Sequence, residues 1–254
     1  AAVNDSVEIA KANAPHHVKF INAVLRQLCR DIENNRLEKL SSLVNLPIEI
    51  MNKWKKVYNE DQLIKITSQH VITPPALDIS ISPKEDINKW QLNFKGEIFG
   101  NNNIRLKNNY GKINELHGYN KGKWWIQDIA AQLPVKILLS KIKKNANVID
   151  LCAAPGGKTA QLLTNSLKVT SIESNNNRAK TLKENLNRLN LKTKLVIKDA
   201  NQYKPENLAD AVLLDAPCTS SGTLRKNPDI LWRLSYKKNN YYSYLNSLLK
   251  IQSD

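Results

Sequence analysis

Three groups of residues have the types and spacing to do chemistry, and each follows an apolar run. The first is Cys152-Ala153-Ala154-Pro155-Gly156-Gly157-Lys158-Thr159, after "NVIDL". The second is a set of acids that close three later runs: Glu173, Asp199 and Asp215. The third is Cys218, in "DAPCTSSG". The Gly-Gly-Lys-Thr turn comes within one residue of a phosphate-binding P-loop, G-x-x-x-x-G-K-[ST], whose glycines let backbone N–H groups wrap a phosphate. Cys152 stands where the first glycine belongs, and a β-carbon at that tight turn is a steric objection. Asp215 occupies the place of the Mg²⁺-binding acid of such an enzyme, so the turn alone leaves a nucleoside triphosphatase open.

The acids discriminate. Glu173 lies 17 positions after Gly156, near the spacing of ~20 at which a carboxylate receives ribose hydroxyls. A triphosphate site has no use for an acid there, since it repels the phosphates. The acids therefore point to a nucleoside whose 5′ substituent is not strongly anionic, and S-adenosyl-L-methionine, a sulfonium cation, is such a ligand. "DAPC" adds the acceptor. Enzymes that methylate exocyclic amines place an aromatic residue in the corresponding turn, to stack on the base; here a thiol stands instead. C5 of cytosine is too weak a nucleophile to take a methyl group unaided. A thiolate adding to C6 turns the ring into an enamine that attacks the methyl donor, and loss of the C5 proton and the thiol completes the reaction.

The elements that must position these groups read as a doubly wound sheet. Strands at "NVIDLC", "KVTSIE", "KLVIKD" and "DAVLLDAPC" alternate with helices at "GGKTAQLLTNS" and "NNNRAKTLKENLNRLN", the second with Ala179, Leu182, Leu186 and Leu189 on one face. Runs buried on both faces and alternating with helices argue a parallel sheet, and ligands of such sheets sit beyond the strands' carboxyl ends. Upstream, residues 1–40 read as helical, with Val18, Ile21, Leu25 and Leu28 at three- and four-residue steps as a core-packing stripe. "NLPIEIMNKWKKVYNEDQLIKITSQH" reads as helix, "ALDISIS" as a half-buried strand with Leu77, Ile79 and Ile81 inward, and "QLNF" and "NIRLKN" as further strands.

The chain has 254 residues and a formal net charge of +15. Residues 119–254 carry 22 basic and 10 acidic side chains, an imbalance that suits a nucleic-acid partner; a compositional bias towards Lys, Asn and Ile is the alternative source. Cys29, Cys152 and Cys218 are scattered, as are the four histidines, so neither a disulfide framework nor a metal site is expected. With no run long enough for a membrane span and no signal-peptide pattern, a cytoplasmic monomer is expected.

With these residues in view, "DLCAAPGGKT", "DAPCTSSGTLRKNPDILW" and the acids between them resemble the RNA cytosine-C5 methyltransferases. "WWIQDIAAQLP" is similar to the stretch leading into that family's first strand, and "FINAVLRQL" resembles the last helices of a NusB-like domain. The combination resembles the RsmB (Sun) type, which acts on small-subunit ribosomal RNA. The resemblance implies an α/β chain in three parts: a helical NusB-like remnant over residues 1–42, a small α+β subdomain over 43–118, and a Rossmann-like S-adenosylmethionine-dependent methyltransferase domain over 119–254, truncated before its last strands. It implies that Cys152, Ala153, Ala154, Pro155, Gly156, Gly157 and Lys158 wrap the methionine part of the cofactor. Glu173, where the family usually has Asp, takes the ribose; Asp199 holds the adenine amino group; Asp215 lies near methyl transfer. It also implies that Cys218 assists product release while the attacking thiol comes from a Thr-Cys pair. No Thr-Cys pair occurs in these residues, and the expectation places it beyond Asp254. A tRNA cytosine-C5 methyltransferase and a non-catalytic RNA-binding assembly factor are the alternatives.

Overall fold

The computed structural model describes residues 2–36, 41–72, 75–106, 110–236, 246, 248–250 and 252–253. The chain divides into two compact units, Ala1–Ser68 and Gln69–Asp254. No described helix is long and apolar enough to cross a membrane.

The first unit is helical: α1 (Ala2–Asn13), α2 (Val18–Glu33), α3 (Ile48–Trp54) and most of α4 (Glu60–Ile72). The single helix expected over 45–70 is two. Asn59 accepts from the Gln62 N–H at 2.9 Å while Gln62 Oε1 accepts from the Asn59 N–H at 3.0 Å, a reciprocal capping box that starts a new helix. No residue of α2 is fully buried: along its stripe Val18, Ile21 and Leu25 are half-buried and Leu28 is 41% exposed, while Phe20 and Val24 beside it are exposed.

The second unit opens with β1 (Leu77–Ile81), α5 (Ile87–Phe94), β2 (Glu97–Phe99), β3 (Asn103–Leu106) and β4 (Trp124–Ile126), which form an antiparallel sheet in the order β2-β3-β1-β4. "QLNF" is therefore helical. Asp86 caps the Asn88 N–H at 3.0 Å, and Trp90 and Phe94, four apart, enter one core with Ile79, Ile104 and Trp124. β1 is not half-buried either. Its polar face is covered: Asp78 makes a bidentate pair with Arg105 at 2.7 and 2.9 Å and also accepts from the Ile129 N–H at 3.3 Å. Ser80 accepts from the Gln132 side chain at 2.9 Å.

α6 (Ile129–Leu139) leads into β5 (Asn147–Leu151), α7 (Gly157–Thr164), β6 (Lys168–Glu173), α8 (Asn176–Arg188), β7 (Lys194–Ile197), β8 (Ala211–Leu214) and α9 (Ile230–Tyr236). The four strands are parallel, in the order β7-β6-β5-β8. The helical face of the sheet is well filled: α8 buries Leu182 and Leu186 against Trp125, Ala153, Ala154 and Ala160. The outer strands are less covered than two-sided burial predicts, with Ile197, Val212 and Leu214 exposed. The helix expected from Tyr241 and Leu245 falls partly outside the described residues.

The two sheets of this unit are joined by a clasp. Arg188 Nη1 donates to the carbonyls of Tyr119 (2.9 Å) and Trp124 (3.1 Å). Gly122, at φ +64°, packs so closely on the end of α8 that a β-carbon would overlap the Arg188 carbonyl oxygen. Left-handed strain and overpacking each cost about 1–3 kcal/mol, so Gly122→Ala should lose about 2–6 kcal/mol. A urea midpoint equal to that of the unaltered chain would refute the close approach.

Candidate cofactor and catalytic site

The turn after β5 departs from helical and strand geometry at three successive points. Cys152 adopts φ +60°, the Ala154–Pro155 bond is cis, and Gly156 adopts φ +104° before α7 begins. The β-carbon of Cys152 is accommodated in the left-handed region, so the steric objection raised against a residue there does not hold. Gly156 is required by its backbone angle rather than by crowding, since an added β-carbon would meet nothing closer than 3.5 Å. Burial, with the Glu173 charge nearby, raises the Cys152 thiol pKa, which leaves it a protonated, inert thiol.

Glu173 fixes this turn from the next strand. Its side chain is 3% exposed; Oε2 accepts from the Ala154 N–H at 3.3 Å and Oε1 from the Asn175 N–H at 3.0 Å. Arg178, 3.6 Å from Glu173, donates to the Ala154 carbonyl at 2.7 Å. Ala154 is thus held by both of its backbone polar groups. Asp199 is exposed just past β7, where it caps the Asn201 N–H at 2.9 Å.

Beyond the carboxyl ends of β5 and β8 lies a cavity of about 180 Å³ lined by Gln127, Asp128, Asp150, Cys152, Lys158 and Asp215, together with Ala153–Pro155 and Gly157. Lys158, the lysine of the Gly-Gly-Lys-Thr turn, reaches across it to Asp215 at 2.6 Å. A P-loop lysine is needed on phosphates; this one is pinned to a carboxylate. Gln127 belongs to a buried amide chain, accepting from the Trp125 indole at 2.7 Å and donating to Gln161 at 2.9 Å, which holds the cavity floor rigidly to α7. Burial acts to raise the pKa of Asp128, but the Ala130 N–H and Lys226, 3.2 Å away, outweigh it and leave it lowered.

Asp150 was not expected among the functional residues. It is 1% exposed, with Oδ2 accepting from Thr159 Oγ at 2.6 Å and Oδ1 lacking any partner among the described residues. Burial pushes its pKa up to about 6, against the Thr159 hydrogen bond and the Lys158 charge. The available signal was a carboxylate in the middle of the apolar "VIDL". A buried carboxylate with an unsatisfied oxygen at a cavity wall is costly to the fold unless a ligand uses it.

Residues 137–252 match the family described as 16S rRNA methyltransferase RsmB/F. Over these residues the chain resembles that family. It is similar to ribosomal RNA small subunit methyltransferase B of Vibrio vulnificus, at 31% identity over 91% of this chain and 57% of that protein. A Bacillus subtilis protein named probable ribosomal RNA small subunit methyltransferase B is 29% identical over 91% of this chain and 55% of that protein. The chain thus spans somewhat more than half the length of these curated relatives. The crystal structure of PH0851 superposes with a TM-score of 0.72 over 96% of this chain and 58% of that one, at 24% identity, which bears on the fold alone.

In this domain Cys152–Pro155, Gly157, Lys158 and Asp215 come together at one cavity, which Gly156 does not line, with Glu173 behind the turn. Asp199 and Cys218 do not line it. Cys218 is exposed three residues past Asp215, and its sulfur accepts from the Ser220 N–H at 3.4 Å. Of the basic side chains that follow Cys218, Arg225 is exposed, Lys226 is engaged by Asp128 and Arg233 by Asp229 at 2.8 Å. Lys237 and Lys238 lie outside the described residues.

Proposed function

We propose that this chain carries the cofactor-binding part of an enzyme that transfers a methyl group from S-adenosyl-L-methionine to C5 of a cytosine in 16S ribosomal RNA. The observation that carries the reading is the cavity uniting Asp150, Cys152–Pro155, Gly157, Lys158 and Asp215 at two adjacent strand ends. Whole small-molecule sites are usually ~300–1,000 Å³, so a cavity of about 180 Å³ suits one end of the cofactor. Its chemistry fits an amino-acid end: the unpartnered oxygen of Asp150 for the ammonium, the first N–H groups of α7 for the carboxylate. Glu173 and Asp199, at the next two strand ends, would receive the ribose and the adenine amino group. Asp215, held by Lys158, would lie near the transferred methyl.

The bound cofactor supplies an electrophilic methyl group. The chain's part is to exclude water from it and to present a thiol. Cys218 is exposed to an incoming base, and by the family resemblance it would assist release of the product while a Thr-Cys thiol attacks C6. The incompletely buried apolar stripe of α2 accords with residues 1–42 forming part of a larger NusB-like RNA-binding region, which favours ribosomal RNA over a transfer RNA target.

Two measurements test this. Calorimetry should show binding of S-adenosylhomocysteine and none of comparable strength for ATP; the reverse order sinks the reading. Denaturing electrophoresis after mixing the 254-residue chain with 16S RNA and cofactor should show no covalent RNA–protein band, because the chain has no Thr-Cys pair. Methylation by this chain, abolished in Cys218→Ala, would instead make Cys218 the attacking thiol.

A further inference from the structure

A second cavity, about 300 Å³, lies on the other side of the cofactor turn, lined by Ile113, Tyr119, Trp125, Asn185, Arg188 and Leu189. Ile126, Pro155 and Gly157 border both cavities, so the turn is the partition between them. Asn185 fixes that partition by donating to the Pro155 carbonyl at 2.9 Å.

Arg188 is unusual among the basic residues. None of the ion pairs among the described residues involves it. Nη1 is used by the Tyr119 and Trp124 carbonyls, and the guanidinium stacks 4.3 Å from the Tyr119 ring centroid. Its Nε is buried with no hydrogen-bond partner. Burial lowers the pKa of this group, as expected of a cation taken out of water without a counter-charge. The end of α8, where the helix dipole favours a cation, stabilises the charge in part, but it does not satisfy the Nε–H. The Nε–H is closed off from solvent, so an anion entering the cavity would meet Nη2, which makes no hydrogen bond among the described residues, and the half-buried charge without a counter-charge favours one.

The rest of the wall narrows the choice of anion. Ile113, Trp125 and Leu189 offer apolar surface, and Asn185 and Tyr119 carry the other polar groups. That combination suits an anionic group attached to a flat apolar body. The volume is that of a small ligand, and the strongly basic chain suits a polyanion.

We infer that this cavity is a nucleotide subsite for the RNA substrate, with one phosphate on Arg188 and the attached base or sugar against Ile113, Trp125 and Leu189. The inference rests on the proposed RNA methyltransferase reading and extends it. A nucleotide held there lies one loop away from the cofactor, so it both anchors the strand and presses on the Pro155–Gly157 turn.

The experiment follows the Arg188 Nε–H resonance by NMR in the 254-residue chain, assigned by its loss in Arg188→Lys. Cytidine 5′-monophosphate and a short single-stranded RNA should both shift it, whereas cytidine should not. A shift with the mononucleotide but not with RNA would mean that the site takes free nucleotides and would overturn the RNA assignment. No shift with either would mean that the donor is met by trapped water only. A second arm avoids the clasp that Arg188 provides. Asn185→Asp sets a negative charge in the same cavity, and it should weaken RNA binding tenfold or more and lower the salt slope by about 0.7, the share of one phosphate on a single strand. Unchanged RNA affinity and slope in a folded Asn185→Asp chain would also overturn the inference. Binding of S-adenosylhomocysteine, measured alongside, reports separately on the cofactor reading: its loss in the unaltered chain would sink that reading, while its presence with a silent Arg188 sinks the subsite alone.

Discussion

Replacing Glu173 by alanine is expected to weaken S-adenosylhomocysteine binding ten- to a hundredfold. Two effects contribute. A hydrogen bond to a charged group is worth about 1.5–3 kcal/mol, which is one to two decades of affinity, if Glu173 meets the ribose directly. In addition, the variant leaves the buried Ala154 N–H without its acceptor, which loosens the turn that walls the cavity. Arg178→Ala separates the two. It releases the Ala154 carbonyl and so disturbs the same turn, but an arginine cannot accept from a hydroxyl. Direct recognition requires Glu173→Ala to lose several-fold more than Arg178→Ala. Equal losses would make Glu173 a positioning residue that acts through Ala154 alone, and calorimetry showing full affinity in Glu173→Ala would remove it from the site.

That a strand ends at each acid was readable because local signals agree there. β5, β6 and β8 are short apolar runs, each followed by a turn residue or a polar residue, and α8 shows its buried face at Ala179, Leu182 and Leu186. The misreadings share a different cause. "QLNF" is too short for its period to be seen, and the helix is visible only when Asp86 and Trp90 are included. The break at Asn59 depends on a pair of side chains three apart rather than on any apolar pattern. Burial of Asp78 and Ser80 depends on Arg105 and Gln132, 27 and 52 residues away, and no local window contains those partners. Glu173 was recognised as a strand-end acid, but its hold on Ala154 spans 19 residues and was not. Asp150 is hidden for the same reason: within "VIDL" it is one polar residue in a strand, and its importance comes from what closes around it.

Asp150→Asn is expected to make the protein more stable and a poorer binder, and the size of both effects should depend on pH. In the unfolded chain the carboxyl titrates near its ordinary value of 3.8, while in the folded chain burial raises it to about 6. Between those values the folded state binds the extra proton, so stability falls as pH rises through the window, and the penalty is complete above about 6. Two units correspond to about 3 kcal/mol. The amide oxygen of asparagine can still accept from Thr159, and it carries no charge to desolvate. Asp150→Asn should therefore raise the unfolding free energy by up to about 3 kcal/mol at pH 7.5 and by little at pH 4. Binding should move the other way. An ammonium group on the unpartnered Asp150 oxygen requires the ionised form, so the affinity of the unaltered chain for S-adenosylhomocysteine should rise between pH 5 and pH 7.5, whereas the variant should bind tenfold or more weakly at pH 7.5 and lose that rise. Calorimetry and urea titrations at the two pH values read both quantities. Affinity that is flat with pH and equal in the two proteins would show that the cofactor does not use Asp150. A buried charge that costs the fold would then have no ligand to account for it, and the stability gain at pH 7.5 would stand alone.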